Sequence, residues 1–220
     1  MSDIKGILKF LRQLKAHNQR EWMQEHKALY QRQRGAFLEI VQNTIEILSK
    51  FEPSIQGLEA KDCIFRINRD IRFSNDKTLY KTHLGAYMAQ GGRKSMLPGF
   101  YFHLEPGNKS ILAAGLYRPG ADLLRKVRQE IDYNGKDLVK IVEKTSWRKE
   151  FGPLEGERLS RSPKGYPMDH PLLPYLQLKS YMAVLRLKDK QVEDPAFTKH
   201  ISRYFKRMHP LVQFLNTAIS

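Results

Sequence analysis

The sequence predicts an α+β protein: one domain over residues 1–220, built on a mainly antiparallel sheet with helices at both ends. Three observations predict it. Apolar residues recur at helical spacing before Pro53 and again after Pro195. Between Cys63 and Tyr117 the spacing falls to two. The turns inside that middle stretch, such as Glu105-Pro106-Gly107-Asn108, are too short for a crossover, so the strands they join are antiparallel neighbours.

Residues 1–52 read as a helical N-terminal part. Ser2 is placed to cap a first helix bearing Ile4, Ile7, Leu8, Leu11 and Leu14. Asn18 followed by Glu21 has the form of a capping box for the next helix, on which Trp22, His26, Leu29 and Tyr30 share a face. Phe37, Ile40, Val41, Thr44, Ile45 and Leu48 make the clearest amphipathic stripe, and Pro53 stops it. This helical hairpin reads as scaffold.

Residues 61–117 carry the sheet. Cys63, Phe65 and Ile67 alternate with Ile64, Arg66 and Asn68, which predicts a strand with the first set facing the core. A second strand is expected at Leu84–Gln90, closed by Gly91-Gly92. Phe100, Phe102 and Leu104 alternate with Tyr101 and His103, and Ser110–Tyr117 completes a hairpin.

Residues 119–145 read as two helices, the first with Leu123, Leu124, Val127 and Ile131, the second after Asn134-Gly135. Five prolines make 152–174 an irregular loop, with a short edge strand expected around Leu159. Residues 179–217 give a last strand, Tyr181 to Leu187, and a C-terminal helix that His209-Pro210 is expected to interrupt.

Composition narrows the function classes. No apolar run reaches the ~18 residues of a membrane span, and the N-terminus lacks a secretory h-region. The single cysteine, Cys63, sits in an apolar pattern and forms no internal disulfide; together these predict a cytoplasmic protein. The formal charge of +15, from 38 basic against 23 acidic residues, favours a polyanionic partner or a solvated basic surface. There is no Walker-type loop, no Gly-x-Gly-x-x-Gly, no Cys-x-x-Cys and no His-Glu-x-x-His. No metal site is expected.

The chemistry concentrates between Ile64 and Tyr87. Arg66, Arg69, Arg72, Lys77 and Lys81 crowd together with Ser74, Asn75, Thr78, Thr82 and His83, against Asp70 and Asp76. Arginine forks grip carboxylate or phosphate through two bonds, lysines act as point charges, and Ser74 adds a neutral donor. Such a set suits a phosphate or carboxylate pocket. Asp70, Asp76 and His83 are the acid–base candidates if a reaction occurs there. A magnesium shared by Asp70 and Asp76 is conceivable only with a phosphate ligand, and the spacing of Ser74, His83 and Asp76 does not support a triad.

The motif Arg69-Asp70-x-Arg72-Phe73-Ser74-x-Asp76-Lys77-x-x-Tyr80-Lys81-Thr82-His83 resembles that of the bacterial and fungal family known as domain of unknown function 2461. Asn18-x-Arg20-Glu21-Trp22, Gly99–His103, Gly115-Leu116-Tyr117-x-Pro119, Arg161-x-Pro163-Lys164-Gly165-Tyr166 and Asp169-His170-Pro171 are similar to its other segments. Leu79 stands where that family usually has proline, which leaves the turn before Tyr80 less constrained. The resemblance implies a single full-length domain and supplies no activity. Because Arg161–His170 belongs to the same pattern, Lys164 is expected to join the anion-binding set; Lys164-Gly165-Tyr166 reads either as a lid over the central loop or, equally, as a proline-stiffened surface loop.

Three functional readings fit this pattern. The first is a pocket for a phosphorylated or carboxylated small ligand, held by Arg66, Arg69, Arg72, Ser74, Lys77, Lys81 and Lys164. The second is a nucleic-acid-binding module that uses Phe100, Tyr101 and Phe102 with Lys179, Arg186, Lys188, Lys190, Lys199, Arg203, Lys206 and Arg207. The third is an interaction domain whose motif is an ion-pair network, Asp70 pairing with Arg69, Arg72 or Lys164 and Asp76 with Lys81, with Glu105 or Glu155 balancing the remaining cations.

Overall fold

Four antiparallel strands stand side by side in chain order: β1 (Leu84–Met88), β2 (Gly99–Leu104), β3 (Ser110–Leu116) and β4 (Tyr181–Leu187). They belong to a computed structural model that describes residues 3–220. The register places Tyr87 opposite Tyr101, Tyr101 opposite Ala113, and Ala113 opposite Val184. Side chains alternate across a strand, so these four share one face. Phe100, Phe102 and Leu104 share the other face and are fully buried.

Helices cover only that second face. The chain opens with α1 (Ile4–Ala16), α2 (Arg20–Glu25) and α3 (Lys27–Leu48). The cap expected at Ser2 lies outside the described residues; Asp3 caps α1, its carboxylate accepting from the Gly6 N–H at 2.9 Å. Asn18 does not cap α2. The cap position is Gln19, without a side-chain bond, and the Asn18 amide is used elsewhere. Phe37 of α3 packs on Phe102, with ring centroids 5.4 Å apart.

The strand expected at Cys63–Ile67 is not regular. Cys63 ends a helical turn, α4 (Ala60–Cys63). Residues 64–69 then run antiparallel to 79–86 with only two isolated bridges, Ile64 to Ala86 and Asn68 to Tyr80. Cys63, Ile64 and Ile67 are buried, whereas Phe65 is half-buried and turns to the open face. The helical turn breaks the strict alternation: it delivers Cys63 to the core and shifts the phase of residues 64–67.

The two helices expected over 119–145 form one, α5 (Ala121–Val142), kinked where Asn134 leaves helical geometry. Gly135 comes next in the chain because a Cβ there would lie within 2.2 Å of Leu172. After α6 (Thr145–Phe151) the proline-rich segment runs along the outer edge of β4, bridging Glu155 to Met182 and Arg158 to Leu178. Two short turns, α7 (Leu173–Leu176) and α8 (Asp189–Val192), flank β4. The final helix, α9 (Phe197–Ile219), runs unbroken through Pro210, against expectation. Its buried stripe of Phe197, Ile201, Phe205, Met208, Leu211 and Leu215 offsets the lost backbone bond, which costs about 3 kcal/mol. Phe205 meets Phe100 at 5.2 Å, which seats α9 beneath the sheet. No described helix is long and apolar enough to cross a membrane.

Candidate functional site

The central motif forms an irregular loop ahead of β1, on the sheet edge where residues 64 and 65 pair with Gly85 and Ala86. Its base is fixed by backbone bonds from Arg69 N to Leu79 O (2.9 Å) and from Lys81 N to Ile67 O (2.8 Å). Asn18 clamps the same base, its amide bonding both backbone groups of Tyr80 at 2.9 Å.

Within the loop the cations divide. Arg69 is tied to Asp76 and to the Thr78 hydroxyl, and reaches Ser74 Oγ at 3.5 Å. Arg72 grips Asp70 through two bonds, of 2.9 and 2.7 Å, in full view of solvent. Thus Asp70 pairs with Arg72 rather than Lys164, and Asp76 with Arg69 rather than Lys81. Lys77 donates to the Ile71 carbonyl at 3.2 Å. Arg66 is exposed and makes no ion pair among the described residues. The Arg72 guanidinium holds Asp70 at about 2, and the Thr78 N–H with Arg69 holds Asp76 at about 2. Both carboxylates are locked in the charged form, so neither is tuned to donate a proton near neutral pH.

Lys81 differs from the rest. It is half-buried, donates to the Arg66 carbonyl at 2.9 Å, and has no carboxylate within pairing distance among the described residues. Burial, and next the field of Arg66, lower its pKa. Its ammonium stands 5.5 Å from the Phe65 ring centre.

Two hollows meet at Lys81 and His83. One, of about 650 Å3, lies between the motif and the end of α1, where Lys15, Asn18 and Arg69 face Asp70, Asp76 and Thr82. The other is a groove of about 950 Å3 across the open face of the sheet. Tyr101, Ile111, Ala113 and Val184 form its floor; Phe65 and Lys81 stand at one wall, Glu155 to Glu157 and Lys179 at the other. Arg186 holds Glu155 at 2.7 Å, and Glu157 takes both Arg118 and Lys179 at 3.4 Å, so the carboxylates of the far wall are all paired and the wall keeps one cation in excess. Arg93 also faces the groove but donates to the carbonyls of Lys61 and Asp62.

A polar chain occupies the β1–β2 end of the groove. Tyr101 lies 3.0 Å from His103 Nδ1, and His103 Nε2 lies 2.8 Å from the Lys109 carbonyl. Glu105 accepts from the Thr82 hydroxyl at 2.9 Å and stands 3.8 Å from His83. Burial, reinforced by His103, pushes His83 down to about 4, and burial also lowers His103. Both imidazoles are therefore neutral at pH 7.

Of the expected anion-binding residues, Arg69 and Lys81 line a hollow. Arg66, Arg72, Ser74 and Lys77 lie on the outer loop. Lys164 does not join them: its segment packs on α5, with His170 bonded to Asp132 at 3.0 Å, at the β4 side of the sheet. The lid over the central loop is not formed. Yet the start of the proline-rich stretch, Glu155 to Glu157, does face Lys81 across the groove. Ser74, His83 and Asp76 are not hydrogen-bonded to one another, and no described cluster of three His, Cys, Asp or Glu side chains could hold a metal. Phe100 and Phe102 are buried, so of the three aromatics expected to stack bases only Tyr101 is on the open face. Lys199, Arg203, Lys206 and Arg207 project from α9, beneath the opposite face.

The motif, the sheet and the proline-rich edge thus form one connected arrangement, and a family profile spans all three. The family described as Conserved hypothetical protein (DUF2461) matches residues 6–214. The chain belongs to that family. No curated protein and no solved structure matches it. In this DUF2461 chain, Asn18 and Tyr80 give the family-like segments at either end of the clamp a shared structural role. In sequence Lys15 looks like an ordinary helix residue and Asn18 like a helix cap, so neither is marked for the site. The signal for His103 was its alternation with Phe102, which sends it to the face away from the core.

Proposed function

We propose that this protein binds a small phosphate- or carboxylate-bearing ligand whose charge is held by Lys81. The observation that carries the reading is the ammonium itself: half-buried, at the junction of two hollows, bonded only to a carbonyl and without a carboxylate partner among the described residues. A partly desolvated cation left uncompensated is stabilised by an incoming anion. Lys15 adds positive field on the same side, while Arg69, Arg72 and Lys77 are spent on the loop. A cytoplasmic location suits Cys63, a free thiol that burial pushes up to about 11 and so keeps inert.

The test is thermal unfolding with inorganic phosphate and with benzoate, in the wild type, Lys81→Met and Arg72→Ala. A ligand at a hundred times its dissociation constant adds about 2.7 kcal/mol to stability. The expected shift is present in the wild type and Arg72→Ala and lost in Lys81→Met. A shift that survives Lys81→Met overturns the reading. A second reading, single-stranded nucleic acid, is supported by Tyr117, 59% exposed at the end of the groove beneath Arg118, and by the charge of +15. It predicts a shift with oligothymidylate alone that vanishes at high salt.

A further inference from the structure

The groove specifies more of its ligand than a charge, because one of its hydroxyls has a fixed direction. The Lys109 carbonyl can only accept, so the hydrogen in that bond sits on His103 Nε2. A neutral imidazole with hydrogen on Nε2 has a lone pair on Nδ1. Tyr101, 3.0 Å away, must therefore donate its only proton to His103. Burial pushes Tyr101 up to about 12, so it keeps that proton at neutral pH. What the Tyr101 oxygen has left is acceptor capacity alone. Its position is confined from below, since a Cβ on Gly85 would come within 3.0 Å of the oxygen.

The neighbours of Tyr101 define the rest. Phe65 stands between Tyr101 and Lys81, its ring 6.3 Å from the tyrosine ring and 5.5 Å from the ammonium. Beside Tyr101 the floor is apolar: Ile111 and Val184 are half-buried and face the groove, with Ala113 buried between them. A volume of about 950 Å3 lies within the range of small-molecule sites, and the paired charges of the far wall bound it. We infer that the ligand is an amphiphilic organic anion bearing a hydrogen-bond donor. Its anionic group sits at Lys81, its flat or apolar body lies over Ile111 and Val184, and a hydroxyl or amino group donates to the Tyr101 oxygen. The inference rests on the reading that Lys81 holds the anion, and adds the body and the donor.

The experiment compares naphthoate with a hydroxynaphthoate whose hydroxyl lies on the ring away from the carboxylate, by calorimetric titration. The proteins are the wild type, Tyr101→Phe and Lys81→Met, with inorganic phosphate as a head-only control. The wild type is expected to bind the hydroxynaphthoate about tenfold tighter than naphthoate, the worth of one good hydrogen bond. Tyr101→Phe should bind both alike, at the naphthoate level, and Lys81→Met should weaken both. If both compounds bind the wild type equally and need Lys81, the anion reading stands and the donor inference falls. If phosphate binding depends on Lys81 but neither naphthoate binds, the groove does not take the body and the inference falls again. Binding of both compounds without regard to Lys81 overturns inference and reading together.

Discussion

Asn18 and Tyr80, far apart in sequence, exchange two hydrogen bonds of 2.9 Å: the amide donates to the Tyr80 carbonyl and its oxygen accepts the Tyr80 N–H. One side chain thus does what a strand partner does, and it anchors the α1–α2 corner to the base of the central loop. Asn18→Ala leaves both backbone groups of a buried residue without these partners, which costs about 1–3 kcal/mol. For a chain of this size the melting temperature should fall by roughly 2–4 °C per kcal/mol. Asn18→Asp keeps the acceptor and should fall less. A melting temperature equal to wild type in Asn18→Ala would show that the clamp is not part of the stable fold.

Arg69 and Arg72 look alike in the motif but differ in setting. The Arg69 side chain is 25% exposed and satisfies three oxygens, whereas that of Arg72 is 76% exposed and holds one carboxylate. Exposed pairs contribute about 0–1 kcal/mol. Arg72→Ala should therefore leave the urea midpoint nearly unchanged, while Arg69→Ala should lower it clearly and loosen the loop to protease. Equal midpoints in the two variants would contradict this division.

The fold was legible where one period ran uninterrupted. Phe100, Phe102 and Leu104 alternate with Tyr101 and His103, and the sheet separates them onto buried and open faces. Local rules failed where tertiary packing outweighed them. Pro210 reads as a break, but the buried stripe on both sides of it keeps α9 whole. Asn134-Gly135 reads as a turn, yet the same apolar stripe carries α5 across it as a kink. At the site, the motif located Lys81 and Arg69. It could not tell which cations would be consumed by Asp70 and Asp76, because that depends on the path of the loop. The groove was hidden for a related reason: its floor comes from three strands, and its walls from segments far apart in sequence.

His83 makes stability depend on pH in a definite direction. Its pKa is about 4 in the folded protein and about 6.5 in an unfolded chain, so between those values the unfolded state binds more protons. Stability is therefore full above about 6.5 and declines as pH falls towards 4. His103, lowered by burial, contributes with the same sign. Asp70 and Asp76, held at about 2, act with the same sign only below their ordinary value near 3.8. Denaturant titrations at pH 7.5, 5.5 and 4.5 should show a loss in the upper window that shrinks in His83→Gln (pH values chosen to straddle that window, roughly). An undiminished loss in His83→Gln would assign the effect to other groups.

A buried polar contact fastens α9 to the chain before Pro53. His209 Nε2 donates to Glu52 Oε2 at 3.0 Å, and both residues are buried. The other oxygen of Glu52 accepts from the hydroxyl and the N–H of Ser54, at 2.6 and 3.3 Å. Phe51 meets the His209 ring edge-on at 5.0 Å, which shuts water out of the contact. Replacing His209 by Leu strips Oε2 of its donor and leaves a buried carboxylate half-satisfied, a loss of about 3 kcal/mol. Adding Glu52→Gln removes the orphaned charge, so the double variant should recover part of that loss even though Glu52→Gln alone weakens the wild type. Denaturant unfolding of the two single variants and the double variant measures this coupling. If the two single costs simply add, the pair is two independent buried groups and not a fastening between α9 and the turn at Pro53–Ile55.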